Sequence, residues 1–417
     1  MNKKGLLLLI LFIVFSLIYF FRLKTKLQIN FVNGDQVKVV SRLTQEPILQ
    51  GKYQVFKVNG IFVKTSSLVD YHYGDYLDMT GRVEVKVINK WFNQFWLINP
   101  EIVEVKTYSE KLRIKDGLIK NVFKFRQKLV EVFIRTLPEP QASLLIGIVL
   151  GVKLGLPVDF YQSLKTTGTL HIIVASGMNI SLLAGGLLEI LSLFLGRKMA
   201  LVASLLVVFC YCLMAGLEPP IVRAGLMALV LYLAVFLGRE TDGLISLILV
   251  AMIMLIFDPL LLFDIGFQLS FMATLGLMVL ASRLKNAFVL LKYLKPVSSD
   301  LSETLSAQIF TLPILVISFG HFNPLSLLPN VLTLWLIPFL MVLGLLIGFL
   351  GLVFWPLALF LSWLLWLPLT YFVNIINWFG QFDVFNLKLE NLSWLFGLGY
   401  YLLLLGFLSY YQGKKNG

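Results

Sequence analysis

The sequence has few charged residues, and this shortage excludes an ordinary soluble protein. Charged residues make up 14% of the 417 residues, whereas soluble globular proteins contain about 25%. Apolar residues reach 58% and lie in blocks long enough to cross a bilayer core of about 30 Å. One soluble domain cannot bury so many long apolar blocks, so the composition indicates a polytopic membrane protein.

Histidine and cysteine are also scarce, which argues against a metalloenzyme or a disulfide scaffold. The three histidines, His72, His171 and His321, form no metal-binding motif, and the sequence has no Walker A lysine motif. Cys210 and Cys212 lie one residue apart in an apolar run. On a helix they point in different directions, so we interpret them as small buried hydrophobic residues. We expect no enzyme activity, no metal and no cofactor.

Residues 1–26 resemble a signal peptide at first, with a basic start followed by an apolar run. A cleaved signal peptide needs a small-residue cleavage site after that run. Here the run ends in the bulky residues Tyr19, Phe20 and Phe21, followed by Arg22. We therefore predict an uncleaved signal-anchor helix.

Residues 27–108 change character, because apolar and polar residues alternate in short runs separated by Gly, Asn and Pro. This pattern predicts about five short antiparallel strands. They suit a small all-β, OB-like barrel, although a small sandwich would have a similar pattern. The segment is nearly neutral, with 9 Lys/Arg and 8 Asp/Glu. Its aromatic residues fit either a DNA-contacting face or a hydrophobic core: Tyr53, Phe56, Phe62, Tyr71, Tyr73, Trp91, Phe92, Phe95 and Trp96.

Residues 109–137 carry the basic excess, with 8 Lys/Arg against 3 acids over 109–135. Apolar residues recur every three or four positions, which predicts a basic amphipathic helix in the membrane interface. The alternative is the wall of a DNA entry path. Under either interpretation the residues that would contact lipid or DNA phosphates are Lys111, Arg113, Lys115, Lys120, Lys124, Arg126 and Lys128.

Residues 138–411 hold the remaining apolar blocks, and residues 412–417 form a basic tail. With the anchor, we predict about ten transmembrane helices, nine of them near 170–195, 199–215, 219–237, 243–257, 265–282, 299–319, 325–350, 352–372 and 393–411. The stretch 142–156 is too short to span and predicts a re-entrant or interfacial hairpin. Lys and Arg fall in alternate loops, which the positive-inside rule assigns to the cytoplasm. Both termini are then cytoplasmic, and the OB-like domain is extracytoplasmic.

Polar residues inside apolar helices are costly in lipid and usually face a pathway or a partner. Arg223 is the one basic residue inside a predicted span. It could hold a phosphate through two parallel hydrogen bonds, or form a structural pair with Glu218 or another acid. Asp264 could simply cap a helix, and His171 could bond a backbone carbonyl at a helix end. The sequence leaves these alternatives open.

Four segments of the membrane part carry an ordered set of motifs. They are HIIVASGMNISLLAG, GLEPPIVRAGLMALV, LGRETD followed by DPLLLFDIGFQLSFMATLGL, and AQIFTLPILVISFGHFNPLSLLPNVLTLWLIPF. Together they resemble the ComEC family of competence proteins over residues 140–345, and residues 27–108 resemble that family's OB-type domain. The resemblance implies an inner-membrane channel that takes up single-stranded DNA during natural transformation. Residues that would line or shape this channel are His171, Ser176, Gly177, Asn179, Arg223, Asp264, Gln268, Gln308 and Asn330.

The sequence departs from the family pattern in two places. Many members have a second histidine where this chain has Asn179. Full-length members also continue into a metallo-β-lactamase-like domain, so we expect a separately encoded nuclease, with a DNA-receptor protein as a further partner, or a truncated relative. Two other functions stay open: a transporter of another anionic or amphipathic solute, and a non-transporting membrane scaffold.

Overall fold

The structure is a computed structural model of the chain. It describes residues 14–25, 31–43, 47–50, 53–58, 60–66, 68–69, 71, 75–89, 92–104, 114–152, 156–173, 177–240, 242–287, 295–382, 387–389 and 392–416. Three residues predicted to contact phosphate or line the channel lie outside these ranges: Lys111, Arg113 and Ser176.

The N-terminal part is a β-sheet region, as the alternating pattern predicts. Its seven strands are β1 (Gln36–Arg42), β2 (Ile48–Gln50), β3 (Tyr53–Val58), β4 (Ile61–Ser66), β5 (Tyr76–Asn89), β6 (Phe92–Ile98) and β7 (Glu101–Glu104). The strand order is β1-β5-β6-β4-β3-β2, and β7 also pairs with β5. The antiparallel prediction holds for every recorded pair except β4 and β6, which run parallel. Closure into a barrel stays a prediction, because no recorded pair of the described strands joins β1 to β2 or β3.

Alternate residues of these strands form one buried core. Val63, Leu77, Met79 and Leu97 are fully buried in it. Period-two alternation sends successive side chains to opposite faces of a strand, so the residues between these core positions lie on the outer face of the sheet. The burial pattern of β4, in which Ile61 and Val63 are buried and Phe62 and Lys64 are partly exposed, shows this directly.

A helical body follows the sheet. Its helices are α1 (residues 14–25), α2 (Ile114–Thr136), α3 (Gln141–Leu150), α4 (Val158–Thr166), α5 (Gly177–Phe194), α6 (Arg197–Met214), α7 (Pro219–Phe236), α8 (Gly243–Phe257), α9 (Ile265–Gly276), α10 (Ser282–Ala287), α11 (Lys295–Phe319), α12 (Leu327–Thr333), α13 (Ile337–Val353), α14 (Trp355–Gly380) and α15 (Trp394–Asn416). A two-stranded pair, β8 (His321–Phe322) and β9 (Leu387–Lys388), joins two of the connecting segments.

Seven helical segments among the described residues are long and apolar enough to cross a membrane, which confirms a multi-pass membrane protein. They are Leu170–Phe194, Arg197–Met214, Pro219–Phe236, Ile265–Lys285, Leu301–Ser318, Pro324–Val353 and Trp355–Gly380. Gln141–Leu150, Gly243–Phe257 and Trp394–Tyr410 are shorter apolar helices. The prediction of about ten spans therefore agrees with a total of seven to ten helices, depending on how the shorter ones are counted.

Helix α3 occupies the centre of the bundle, and all ten of its residues are buried. Glycines allow this close packing: a Cβ on Gly147 would lie 2.2 Å from Cγ2 of Ile173, and one on Gly344 would lie 2.6 Å from Cγ2 of Val149. The helix ends at Gly151, which has the left-handed φ of 71° that glycine tolerates. The re-entrant or interfacial placement of this stretch stays a prediction, because burial against other helices does not define depth in a membrane.

Helix α2 is the predicted basic amphipathic helix. Its apolar side packs against α13, where Phe133 lies against Gly348 and Val132 lies against Gly351. Its opposite side exposes Lys124 and Lys128. The apolar stripe thus belongs to the core of the helical body, and the basic stripe remains available to lipid or to another anion.

Candidate functional site

Arg223 is the centre of a buried contact set inside the bundle. The residue lies on α7 and is only 8% exposed. Its Nε donates to Oγ of Ser270 at 2.7 Å, and its Nη1 lies 3.6 Å from Sδ of Met227. Its guanidinium carbon is 5.9 Å from the ring centre of Phe271. We call Arg223, Gly177, Met227, Ser270 and Phe271 the arginine cluster.

The guanidinium of Arg223 has no carboxylate partner among the described residues. The structure shows no ion pair between Arg223 and Glu218, which precedes α7. Neither Glu218 nor another acid of the described part of the chain forms the structural pair considered from the sequence. A buried charge is costly unless it is paired, and one hydroxyl and one thioether sulfur do not neutralise a guanidinium.

Gly177 places the start of α5 against this guanidinium. A Cβ at Gly177 would lie 2.8 Å from Nη2 of Arg223 and 3.5 Å from Cβ of Ala224. Gly177 is the first described residue of α5, and the guanidinium lies against it at a buried point. A buried guanidinium without a carboxylate partner favours an anion, and guanidinium groups bind phosphate.

A second polar group joins the turn before α5 to the segment before α12. Nδ1 of His171 lies 3.0 Å from the carbonyl oxygen of Gly168, and a Cβ on Gly168 would lie 3.2 Å from Cβ of Ser326. Nε2 of Gln308 donates to Oγ of Ser326 at 3.4 Å. Nδ2 of Asn323 donates to the carbonyl of Thr166 at 3.0 Å. We call this group the 168–326 junction.

The junction supports one of the open alternatives for His171. Its ring bonds a backbone carbonyl at a helix end, as a structural role requires, yet the side chain is exposed. Because Nδ1 makes the contact with the Gly168 carbonyl, Nε2 of His171 does not take part in it. Asn330 lies one helical turn after Ser326 and is 3% exposed. Its Oδ1 is buried and has no hydrogen-bond partner in the part of the chain that the structure describes.

Asn179 holds α3 and α5 together. Its Nδ2 donates to the carbonyl of Ile148 at 2.8 Å and lies 3.3 Å from the hydroxyl oxygen of Tyr211. Ile148 is in the last turn of α3, where carbonyl groups have no partner within the helix. Asn179 is 1% exposed, so these two contacts lie inside the bundle, and its role in lining or shaping a channel stays a prediction.

Asp264 and Gln268 both organise the start of α9. Oδ1 of Asp264 accepts from the N–H of Phe267 at 2.7 Å, which is the helix cap considered from the sequence. Nε2 of Gln268 donates to the carbonyl of Leu262 at 2.8 Å. Both contacts hold the start of α9 in place, and α9 supplies Ser270 and Phe271 of the arginine cluster.

The basic residues of α2 do not all face the same way. Lys124 and Lys128 are exposed. Arg126 is 6% exposed, donates to the carbonyl of Met214 at 2.9 Å and lies over the ring of Phe123. It bonds the C-terminal end of α6 and is not presented to an external phosphate. Nothing is described for the side chains of Lys115 and Lys120.

Sequence reasoning brought Gly177 and Arg223 into one candidate site, and the structure places them in contact. It did not single out Ser270, Phe271 or Met227. The signal was available for Ser270, because a serine inside an apolar span two residues after Gln268 is itself unusual. Among the described residues, no group of three or more His, Cys, Asp or Glu side chains could hold a metal ion.

Comparison with known proteins relates the membrane part to one family. The sequence profile of a family described as "Competence protein" matches residues 148–414. The chain is 26% identical over 219 residues to "ComE operon protein 3" of Bacillus subtilis (strain 168), covering 52% of this chain and 27% of that protein. It is 27% identical over 268 residues to an uncharacterized protein of Aquifex aeolicus (strain VF5), covering 64% of this chain and 58% of that protein.

A third relative is the uncharacterized protein YcaI of Escherichia coli (strain K12), 24% identical over 214 residues, with 49% of this chain and 28% of that protein covered. The matched regions thus span less than two thirds of the length of each of these relatives. No solved structure matches the chain significantly.

Proposed function

The chain belongs to the competence protein family, and from this premise we propose that it conducts single-stranded DNA across the cell membrane during natural transformation. It is a multi-pass membrane protein with a β-sheet region ahead of the helical body. The family, the membrane helices and an unpaired buried arginine together support this proposal over a passive scaffold, which needs no buried cation.

The observation that carries the proposal is the arginine cluster. A DNA strand presents one phosphate per nucleotide, and a guanidinium can bind a phosphate through two parallel hydrogen bonds. Arg223 has its Nη2 directed at the start of α5, and no described carboxylate competes for it. We infer that this guanidinium binds successive phosphates as the strand passes.

The proposed route follows the contact between α5, α7 and α9, since these helices supply Gly177, Arg223 and Ser270. Arg223 is 8% exposed, so α5, α7 and α9 must separate locally before a strand reaches it. Phe271 offers a ring beside the guanidinium, which suits a base next to a bound phosphate. On this proposal the 168–326 junction and Asn330 shape the route further along α11 and α12.

The orientation and the partners are part of the same proposal. The alternation of basic loops supports cytoplasmic termini and an extracytoplasmic sheet region. Strand degradation needs a nuclease, and we assign no catalytic role to this chain. The proposed partners are therefore a separate nuclease and a DNA-receptor protein, together with membrane lipids.

The test is transformation frequency in cells that carry Arg223→Gln at the wild-type protein level. We expect a loss of at least tenfold, because Gln keeps a polar side chain but removes the charge that binds phosphate. Arg135→Gln is the matched control, since Arg135 is exposed and pairs with Glu131 on α2. Unchanged transformation in cells with Arg223→Gln would contradict the proposal that Arg223 binds phosphates of the passing strand.

The same cluster would also suit another anion, because a guanidinium recognises negative charge and not bases. Radiolabelled single-stranded oligonucleotide and small organic phosphates, offered to vesicles containing the purified chain, separate these two functions. Entry of the oligonucleotide supports the DNA channel. Entry of only the small anion supports a solute transporter on the same scaffold.

A further inference from the structure

Pro313 interrupts the hydrogen-bond pattern of α11, the helix that carries Gln308 to the 168–326 junction. It lies within the apolar segment Leu301–Ser318, which is long enough to cross a membrane. Proline has no backbone N–H, so the carbonyl of Ile309, four residues earlier, loses its usual helical donor. In a membrane span no water replaces that donor, so a neighbouring group has to supply it.

Two tyrosines of α15 bind carbonyl groups at this point. The hydroxyl of Tyr400 donates to the carbonyl of Ile309 at 3.0 Å, and the hydroxyl of Tyr401 donates to the carbonyl of Phe310 at 2.8 Å. The two rings pack edge to face with their centres 5.9 Å apart, and both side chains are half-buried. We call residues 309–313 the proline turn and the two tyrosines the tyrosine pair. Tyr400 thus supplies the donor that the proline lacks.

The two hydrogen bonds of the tyrosine pair are not equivalent, although their lengths are similar. The carbonyl of Phe310 also has a helical donor, because Ile314 follows the proline and keeps its N–H. The carbonyl of Ile309 has no such donor within the helix. Removing the hydroxyl of Tyr400 therefore leaves a carbonyl unpaired in apolar surroundings, whereas removing that of Tyr401 leaves a carbonyl with its helical bond.

The packing of α15 brings it close to the proline turn. A Cβ on Gly397, one helical turn before the tyrosine pair, would lie 2.9 Å from Cδ1 of Ile317 and 3.8 Å from Cβ of Pro313. Further along α15, Leu408 shares a small buried cluster with Phe310. Among the described elements, α11 is the main packing partner of α15. Helix α15 therefore holds α11 at and beside the proline turn.

Both sides of the proline turn contact the 168–326 junction. Before the turn, Nε2 of Gln308 donates to Oγ of Ser326 at 3.4 Å. After it, α11 ends at Phe319 and the chain continues through β8 to Asn323, whose Nδ2 donates to the carbonyl of Thr166 at 3.0 Å. A helix bends where it contains a proline, so the angle at the proline turn determines whether both contacts form together.

We propose that the tyrosine pair positions the 168–326 junction by holding the proline turn of α11 in one geometry, with the hydroxyl of Tyr400 in place of the missing amide. Tyr400 and Tyr401 are positioning residues, because they act on the junction through α11. The effect on uptake rests on the proposed function, in which the junction shapes the route of the strand. The replacement of an amide by a hydroxyl does not depend on what passes through the protein.

The first experiment is a double-mutant cycle on the purified full chain, read as the melting temperature in detergent. Tyr400→Phe removes the hydroxyl and keeps the ring, and Pro313→Ala returns an N–H to the carbonyl of Ile309. We expect Tyr400→Phe to lower the melting temperature by about 1–3 °C in the wild-type chain and to have little effect in the Pro313→Ala chain. Tyr401→Phe should have a smaller effect that is the same in both chains.

The second experiment measures amide hydrogen exchange in the peptide that covers residues 320–327, by mass spectrometry. In this segment the N–H of Ser326 bonds the carbonyl of Asn323 at 3.0 Å. We expect Tyr400→Phe to raise exchange there severalfold, although the substitution lies on α15. Tyr410→Phe is the matched control, because Tyr410 is on the same helix and is 71% exposed, and it should exchange as wild type.

Transformation frequency at equal protein level connects the tyrosine pair to uptake. We expect Tyr400→Phe to lower it severalfold and Tyr410→Phe to leave it unchanged. Normal transformation by a Tyr400→Phe chain whose junction peptide exchanges faster overturns the link between the tyrosine pair and uptake. The proposed function itself is tested separately by Arg223→Gln, which leaves the proline turn intact.

The other outcomes decide the structural part of the inference. A Tyr400→Phe effect that persists in the Pro313→Ala chain, or an equal effect of Tyr401→Phe, shows that the hydroxyl of Tyr400 does not replace an amide. A wild-type exchange rate in the junction peptide of the Tyr400→Phe chain overturns the positioning role. Each of these results leaves the proposed function standing.

Discussion

Gly177 and Arg223 are in contact across α5 and α7: a Cβ on Gly177 would lie 2.8 Å from Nη2 of Arg223. The atom it would meet is the far end of a long side chain, so a larger residue at position 177 would move the guanidinium before it moved the backbone. The position of the charge, and not the stability of the fold, is what this glycine controls.

We therefore expect Gly177→Ala to lower transformation severalfold while the protein level and the melting temperature in detergent stay near wild type. The reason is that the displaced guanidinium no longer lies at the start of α5. Gly185→Ala is a matched control on the same helix, because nothing lies within 4 Å of its Cβ position. Equal transformation by the two variants would show that the exact placement of Arg223 is not required.

The sequence predicted this contact only in part. Gly177 and Arg223 came from separate motifs, and the broken apolar pattern around each marked them as unusual. Their partners on α9 could not be predicted, because Ser270 and Phe271 lie 47 and 48 residues further along the chain than Arg223. A pattern along one helix does not specify which face of a distant helix packs against it.

Asn179 shows a different limit of sequence reasoning. A buried asparagine in an apolar span suggested a pathway residue, since polar groups in lipid are costly. In the structure a hydrogen bond offsets that cost. Nδ2 of Asn179 donates to the carbonyl of Ile148 in the last turn of α3. The full burial of α3 could not be read from its composition, because a short apolar stretch fits an interfacial segment equally well.

We expect Asn179→Ala to destabilise the helical body by about 1–3 kcal/mol, the usual cost of leaving a buried polar group without its partner. Tyr211→Phe should cost less, because its hydroxyl oxygen lies 3.3 Å from Nδ2 of Asn179, whereas the Ile148 carbonyl is at 2.8 Å. Thermal unfolding in detergent measures both. A larger effect of Tyr211→Phe than of Asn179→Ala would contradict this ranking.

The strand pattern and the apolar blocks were the most predictable parts of the fold. Alternation over 27–108 predicted the sheet, because a strand buried on one face needs apolar residues at every second position. Block length predicted the spans, because a helix that crosses a membrane needs a long apolar run. No local sequence pattern predicted the parallel β4–β6 pair or the packing of α2 on α13. Both depend on contacts between segments that are distant along the chain.

The packing of α2 on α13 gives the sharpest stability prediction. A Cβ on Gly351 would lie 2.3 Å from Cγ1 and 2.9 Å from Cγ2 of Val132, and a β-branched side chain on a helix has little rotamer freedom to avoid it. We expect Gly351→Ala to destabilise the chain by about 1–3 kcal/mol, the typical cost of overpacking. Thermal unfolding in detergent should show the loss, whereas Gly399→Ala, whose Cβ position is open, should behave as wild type.

Val132→Ala provides the compensating change. Alone it removes two methyl groups from a buried site and should also destabilise the chain. Combined with Gly351→Ala, it removes the clash, so the double variant should be more stable than the sum of the two single effects predicts. Strict additivity in this double-mutant cycle would mean that α2 does not pack on α13 through this contact. The exposed basic stripe of α2 would then lack the support that holds it outward.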